Sequence, residues 1–331
     1  MGHSVSRRAI LASSGAALAI GPRAALGEKK YDAGVTDTTI KIGQTMPYSG
    51  PASSFGAYGR AMSGYFQMVN DQGGINGRKV NLISLDDSYS PPKTVEQTRK
   101  LVEEDNVFII AGPLGTAPNS AIQKYLNAKQ MPTVFLTSGG ERFNNPKEFP
   151  YSIPLYPSYV TIGRVFAQYI LTTKPNAKIA VIYMNDDLGK DHMAGFKQGL
   201  GAKAAGMIVK QATHELSDAV VDSQVIAAQG SGADTLVEFT TPKFAAQIIR
   251  KVHDLNWKPL HIMAQISASV GATLTPAGLD RSVGIVTAQW YKDPTDAAWA
   301  KSPDMVDYVA FIKKYLPSDG LQDATPVPGY V

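Results

Sequence analysis

The apolar positions between residues 40 and 87 follow two different periods. In 40–46 apolar residues alternate with others, which is typical of a strand, and the segment ends at the turn Ser49-Gly50-Pro51. In 61–69 they recur three or four residues apart, which predicts an amphipathic helix. Segment 79–85 then reads as a second strand. Two strands joined by a crossover helix run parallel, so the pattern predicts a right-handed βαβ unit.

The same alternation continues along the chain and predicts an α/β fold with two lobes, each a parallel sheet flanked by helices. The predicted segments after residue 87 are helices at 91–104, 117–129 and 304–315, and strands at 107–111, 133–137, 178–184, 207–212, 235–239, 260–264 and 285–290. Glycines and prolines interrupt the alternation at 139–157, which we interpret as the first crossing between lobes.

These breaks predict the domain organisation. We expect residues 28–155 to form the first part of lobe 1 and residues 156–283 to form lobe 2. Residues 284–331 then return to lobe 1, beginning with the strand at 285–290. The crossings are expected near 150–160 and 278–287.

The first 27 residues have the composition of an export signal. Arg7 and Arg8 precede an apolar run at 9–20, and the small-residue site Ala25-Leu26-Gly27 follows. The arginine pair resembles a twin-arginine signal, although an ordinary secretory signal also fits. No later segment is long and apolar enough to predict membrane insertion. We therefore expect a periplasmic protein, exported by either route.

The composition narrows the class of protein further. The 331 residues are 44% apolar, enough for a substantial core. The net charge is +4, of which three charges are arginines in the first 27 residues, so nothing indicates a nucleic-acid partner. Cysteine is absent, which excludes disulfides, thiolate metal sites, a cysteine nucleophile and a lipidated cysteine anchor.

Two loops at predicted strand ends are the strongest candidates for a binding site. One contains Leu114, Gly115 and Thr116, and the other contains Ser138, Gly139 and Gly140. Parallel strands end at one edge of the sheet, so we expect the loops to be neighbours. Their backbone N–H groups and hydroxyls are suited to a carboxylate. The alternative is an ordinary turn with Thr116 as a helix N-cap.

Several segments together resemble the solute-binding proteins of ABC importers, of the branched-chain amino acid type. They are the segment from 40 to 87, AGPLGTAPNSA (111–121), VIYMNDDLGKDH (181–192) and KPLHIMAQISASVGATL (258–274). The resemblance implies a two-lobed type I periplasmic-binding-protein fold that closes on a small solute by a hinge motion. It also implies a membrane permease as partner and a ligand carboxylate held at the two loops. We expect a monomer without cofactor.

The resemblance also implies a C-terminal expectation. In proteins of this type a long helix begins near the position of Val331, and nothing there resembles a domain end. We expect a truncated sequence, with a natural short form as the alternative.

Departures from the family pattern bear on the ligand. Gly140 stands where a hydroxyl residue is often found, and Leu188 stands where the family has an aromatic. Thr240, Thr241 and Gln265 form the second-lobe face, with Thr241 at the position of a tyrosine and Gln265 near that of an acid. A neutral amide forfeits the charged bond that offsets the desolvation of an ammonium.

These departures predict a carboxylate without an α-amine. We expect an aromatic or branched apolar acid packed between Phe55 and Leu188, with Tyr48 as a further contact on the first lobe. Asp186 and Asp187 could instead supply an acid for an ammonium, but we expect them to cap their helix. A branched-chain amino acid is the alternative ligand.

Two other functions are alternatives to binding. Asp187, Asp191 and His192 could form a metal site, but no dense oxygen-ligand loop of the calcium type is present. A hydrolase would need Ser138 and His192 within reach, and no GxSxG, HExxH, GxGxxG or phosphate-loop motif occurs. We therefore predict no enzyme activity, whereas transport and sensing stay open as alternatives.

Overall fold

Short strands alternate with helices throughout residues 31–318 and 325–330, which the computed structural model describes. The strands are β1 (Thr39–Met46), β2 (Lys79–Asp86), β3 (Ile109–Ala111), β4 (Thr133–Leu136), β5 (Ser152–Pro154), β6 (Ile179–Met184), β7 (Ile208–His214), β8 (Thr235–Phe239) and β9 (Leu260–Met263).

The helices are α1 (Gly56–Asp71), α2 (Pro91–Arg99), α3 (Thr116–Ala128), α4 (Tyr159–Thr173), α5 (Asp187–Leu200), α6 (Ala204–Met207), α7 (Asp222–Gly230), α8 (Pro242–Asp254), α9 (Thr275–Ala277), α10 (Pro303–Tyr315) and α11 (Val327–Tyr330). A π-helical turn, Lys100–Glu104, extends α2, so the predicted helix at 91–104 is confirmed.

The strands form two sheets, and every pairing between named strands is parallel. The first sheet has the order β2-β1-β3-β4-β5 and the second has the order β7-β6-β8-β9. We call each sheet with the helices packed on it a lobe. Both sheets belong to one compact unit, Ala33–Val331. The predicted fold class, two parallel sheets flanked by helices, is confirmed.

Sequence reasoning missed β5 at the edge of the first sheet. This three-residue strand lies in the proline-rich segment 139–157 and pairs with β4. A proline cannot donate a ladder hydrogen bond, and an edge strand tolerates Pro154 because only one side is paired. The chain therefore leaves the first sheet only after Pro154.

The predicted first-lobe strand at 285–290 is wrong. Val286 forms an isolated parallel bridge with Ile262 of β9, with Val286 N–H donating to the His261 carbonyl over 2.9 Å. Val286 and Ala288 also pack against the apolar core of the second lobe. The free edge of β9 and this core hold the segment on the second sheet. The domain limits themselves stay predictions.

Residues 1–30 lie outside the described part, and the export signal therefore stays a prediction. Within 31–318 and 325–330, no helix has both the length and the apolar character needed to cross a bilayer.

Helix α4 packs closely on α5 because glycines face the contact. A Cβ atom on Gly163 would lie 2.6 Å from the Phe196 backbone nitrogen, and one on Gly195 would overlap the Val160 carbonyl oxygen. The obstacles are backbone atoms, which cannot move aside as a flexible side chain can. This contact positions α5, which carries Leu188 and His192.

We expect Gly195→Ala to lower the free energy of unfolding by about 1 to 3 kcal/mol, the usual cost of overpacking. Gly230→Ala is the matched control, because a Cβ on Gly230 meets no atom within 4 Å. Urea titration of both variants checks this. Equal stability of the two would contradict the close helix contact.

Asp186 caps α5, as the sequence predicted, whereas Asp187, predicted to do the same, is the first residue of the helix and lies 3.4 Å from Arg142. The Asp186 side-chain oxygen accepts from the Gly189 N–H over 3.2 Å. Burial raises the pKa of Asp186 from 3.8 to about 6, although the bond from Gly189 opposes the rise. The folded state therefore keeps a proton that the unfolded state releases near pH 4, so this group lowers stability as pH rises from 4 to 6.

We expect Asp186→Asn to keep the cap but to remove this pH dependence, worth about 2 to 3 kcal/mol between pH 4 and 6. Unfolding free energies across that range, for wild type, Asp186→Asn and the exposed control Asp254→Asn, provide the measurement. Parallel curves for wild type and Asp186→Asn would refute the expectation.

Candidate ligand-binding site

The loops after β3 and β4 lie side by side, as predicted. The Thr116 and Ser138 hydroxyls are hydrogen-bonded over 2.8 Å, and both side chains are buried. An isolated parallel bridge between Leu114 and Thr137 extends the strand pairing into the loops. The edge of the first sheet thus places a pair of hydroxyls where the second lobe faces it.

Five of the six backbone N–H groups of these loops are already paired, contrary to expectation. Leu114 N–H donates to the Thr45 carbonyl over 3.2 Å and Gly115 N–H donates to the Thr137 carbonyl over 3.2 Å. Gly140 N–H donates to the Ser138 hydroxyl over 3.1 Å. Buried backbone donors require partners, and these donors find them within the first lobe. A carboxylate would therefore meet side-chain hydroxyls first.

The alternative role of Thr116 as an N-cap is also wrong. Helix α3 begins at Thr116, and its N-cap is Gly115, at φ 108°. This left-handed backbone conformation favours glycine. Thr116 is consequently the first helical residue, and its hydroxyl bonds to Ser138 instead of capping.

Two tyrosines that sequence reasoning missed complete the hydroxyl group. The Tyr89 hydroxyl accepts from Thr116 N–H over 3.3 Å. Polar groups of Gly139, Ser138 and Thr116 lie close enough to the Tyr159 phenol to affect its pKa. Burial raises the pKa of both phenols, so both stay protonated at neutral pH. We call Tyr89, Thr116, Ser138 and Tyr159 the hydroxyl cluster. Tyr89 follows the end of β2, a position that could have indicated it.

Gly139 is sterically required, and Gly140 is tightly packed. A Cβ on Gly139 would lie 2.6 Å from the Tyr159 ring, and one on Gly140 would lie 3.0 Å from the Phe143 ring. Gly140 stands where a hydroxyl residue is expected, and the Phe143 ring occupies the space beside it.

A cavity between the lobes brings Phe55 and Leu188 together. Its other lining residues include Leu114, Gly115, Thr116, Tyr89, Tyr156, Tyr159 and Ile266. The volume open to the centre of a water molecule is about 20 Å³. One water needs roughly 10 to 15 Å³ of such volume, so the lobes are nearly shut.

A second, smaller cavity adjoins the first and shares Phe55, Tyr156 and Ile266 with it. Gln265 and Tyr58 line it, together with Trp290, whose ring stacks edge-on against Tyr156 at 5.2 Å between centroids. The cleft is therefore walled largely by aromatic rings.

Gln265 and Thr241 are buried on the second-lobe side with unpaired polar atoms. The Gln265 side-chain oxygen lies 3.3 Å from His192 Nε2, and its amide nitrogen has no partner among the described residues. The Thr241 hydroxyl is likewise unpaired there. Unsatisfied buried polar groups are costly, so such atoms indicate a place for a ligand or water.

Tyr48 and Thr240 are engaged elsewhere and line neither cavity. The predicted residues Ser138, Gly139, Gly140 and Thr241 are also absent from both cavity linings. The Tyr48 hydroxyl bonds to Ser84 over 2.6 Å, between β1 and β2. The Thr240 hydroxyl bonds to His214 Nε2 over 2.7 Å, within the second lobe. Ser84 and His214 thus hold these hydroxyls inside their own lobes. For all twelve predicted site residues, a role in binding stays a prediction.

Two polar contacts cross the mouth of the cleft. Arg142 lies 3.4 Å from Asp187, and the Glu141 N–H donates to Asp191 over 2.7 Å. Both carboxylates of the alternative metal site are therefore used between lobes, and His192 contacts Gln265. Among residues 31–318 and 325–330, no three metal-ligating side chains cluster.

Comparison with known proteins agrees with the fold. The family model described as periplasmic binding protein matches residues 39–331. An amino acid binding protein of Pseudomonas aeruginosa is 27% identical over 186 residues, 53% of this chain and 46% of that protein. A Leu/Ile/Val-binding protein homolog of Brucella melitensis is 26% identical over 49% of this chain and 44% of that protein. The chain spans about half the length of the curated relatives it matches.

Two solved structures share the fold. A fatty acid ABC transporter substrate-binding protein from Thermomonospora curvata superposes with a TM-score of 0.77 at 23% identity, covering 91% of this chain and 75% of that one. A solute-binding protein from Rhodopseudomonas palustris, in complex with 3,4-dihydroxybenzoic acid, has a TM-score of 0.75 at 20% identity, covering 88% and 77%. With the family model matching nearly the whole described chain, the chain belongs to the periplasmic binding protein family.

Proposed function

We propose that this chain is the substrate-binding component of an ABC importer and captures a small carboxylic acid between its lobes. The ligand is an amine-free aromatic or branched apolar acid. The cleft composition carries the proposal: the hydroxyl cluster on one side faces aromatic and aliphatic walls, and neither cavity is lined by Asp or Glu.

The hydroxyl cluster is suited to a carboxylate. Protonated phenols and alcohols donate to a carboxylate, and hydrogen bonds to a charged group are worth more than neutral ones. Phe55, Leu188 and Ile266 supply apolar contact beside it. An aromatic ring of the ligand between these side chains would lie where the two cavities adjoin.

A branched-chain amino acid is the second candidate, and Asp186 favours it. This carboxylate influences the pKa of both Tyr89 and Tyr159, so it lies near the hydroxyl cluster and could face an ammonium. The curated relatives are named as amino acid and Leu/Ile/Val-binding proteins. Against it, Asp186 already caps α5, and Gln265 offers no charge.

Closure would follow from the cross-cleft contacts. A cavity of about 20 Å³ cannot admit an acid of this size, so the lobes must open to load. The ligand then stabilises the closed state, in which Arg142 meets Asp187. The closed protein would dock on a membrane permease as a monomeric periplasmic partner.

A hydrolase is not favoured by the contacts of His192. Its ring nitrogens meet the Leu188 carbonyl and the Gln265 side chain, and the Ser138 hydroxyl bonds to Thr116. A nucleophile and its base must share a hydrogen bond. We therefore propose binding without catalysis.

We expect benzoate or a phenylpropenoic acid to bind with micromolar affinity and leucine to bind much more weakly. Titration calorimetry on the purified protein measures all three, after partial unfolding and refolding to remove retained solute. Micromolar leucine binding with no heat from either amine-free acid would overturn the ligand class. Loss of leucine binding in Asp186→Asn would then support the amino acid alternative.

Thr116→Val should weaken binding of the preferred acid by about tenfold, because the isosteric change removes one hydroxyl from the cluster. The control is Thr98→Val, since Thr98 is equally buried in α2 with an unpaired hydroxyl. An unchanged dissociation constant for Thr116→Val would remove the hydroxyl cluster from the proposed site.

A further inference from the structure

His192 is held rigidly beneath the cleft. It is fully buried on α5, and its ring stacks between Tyr159, at 4.2 Å between centroids, and Phe239, at 4.9 Å. The interplanar angles are 21° and 15°, so the imidazole lies nearly parallel to both rings. This stack leaves the ring edge, with its two nitrogens, as the part that makes directional bonds.

The contacts of the ring decide which nitrogen carries the proton. Nδ1 lies 2.8 Å from the Leu188 carbonyl oxygen, which can only accept. Nδ1 is therefore the donor. Burial lowers the pKa of His192 to about 4, so the ring is neutral at neutral pH and Nε2 is an acceptor.

The orientation of the Gln265 amide follows from this tautomer. The Gln265 amide oxygen lies 3.3 Å from His192 Nε2, and in this orientation both atoms are acceptors that face each other. A half-turn of the amide exchanges oxygen and NH₂ with almost no change in shape. The NH₂ then donates to His192, and the oxygen takes the position that has no partner among the described residues. Gln265 lines the smaller cavity, so an acceptor is offered to the cleft.

We propose that His192 is a positioning residue for specificity: it turns the Gln265 carbonyl oxygen toward the cleft, where it accepts from a hydroxyl group of the ligand. This inference rests on the proposed function and narrows it to hydroxylated aromatic or branched acids. A buried acceptor left unpaired is unfavourable, so an acid without the hydroxyl binds less tightly. The opposite amide orientation would favour a ligand acceptor instead.

Matched ligand pairs test the preference. Titration calorimetry compares benzoate with 3- and 4-hydroxybenzoate, and phenylpropenoate with its 4-hydroxy derivative. At least one hydroxylated acid should bind about ten- to a hundredfold more tightly than its parent. Gln265→Met should reduce this ratio to near one, because it weakens binding of the hydroxylated acid more than binding of its parent. Equal affinities within every pair, in the wild type, would overturn the inference while leaving the proposed function intact.

Two further measurements test the role of His192. His192→Phe keeps the stack but removes Nε2, so the ratio should fall as it does in Gln265→Met, whereas the exposed control His253→Phe should keep it. If His192→Phe does not fold, nitrogen NMR of the wild type at pH 7 still decides. A protonated Nδ1 with an unprotonated Nε2 is expected, and either the other tautomer or a doubly protonated ring would overturn the inference. If the protein binds leucine but neither the hydroxylated acids nor their parent acids, both proposals are overturned.

Discussion

Parallel strand pairing is the constraint on which the rest of this structure depends. Parallel strands cannot be joined by tight turns, so a helix or long loop crosses between each pair. All strands of a sheet then end at one edge, and the segments after them gather there. Phe55, Thr116 and Ser138 follow three different strands of the first lobe, and the pairing brings the two hydroxyls to 2.8 Å.

The two sides of the cleft differ in how completely their polar groups are hydrogen-bonded. The first lobe pairs most of its loop donors internally, and Tyr89 and Ser138 accept from backbone N–H groups. The second lobe leaves the Gln265 amide and the Thr241 hydroxyl with unpaired atoms. Groups already paired give rigidity, whereas unpaired groups gain most from a ligand. Selectivity is therefore expected to reside mainly in the second lobe, and anchoring in the first.

Helix α5 connects these two sides. Its N-terminal turn carries Asp186 as a cap, Asp187 against Arg142 and Leu188 in the cavity wall. One turn further, Asp191 meets the Glu141 N–H and His192 meets Gln265. The glycine contact with α4 sets the position of all of them.

The sequence by itself determined the alternation of strands and helices, the parallel class and the neighbouring positions of Thr116 and Ser138, because these follow from local periodicity and strand direction. Asp186 as a cap was equally readable, since capping involves residues close in sequence. Only the tertiary structure decided that β5 joins the first sheet, that Val286 stays with the second, and that most of the loop N–H groups are already paired. It also revealed Tyr89, Tyr159 and the His192–Gln265 contact. Each depends on which distant groups meet across the fold, and pairing between residues as far apart as 192 and 265 leaves no periodic mark in the chain.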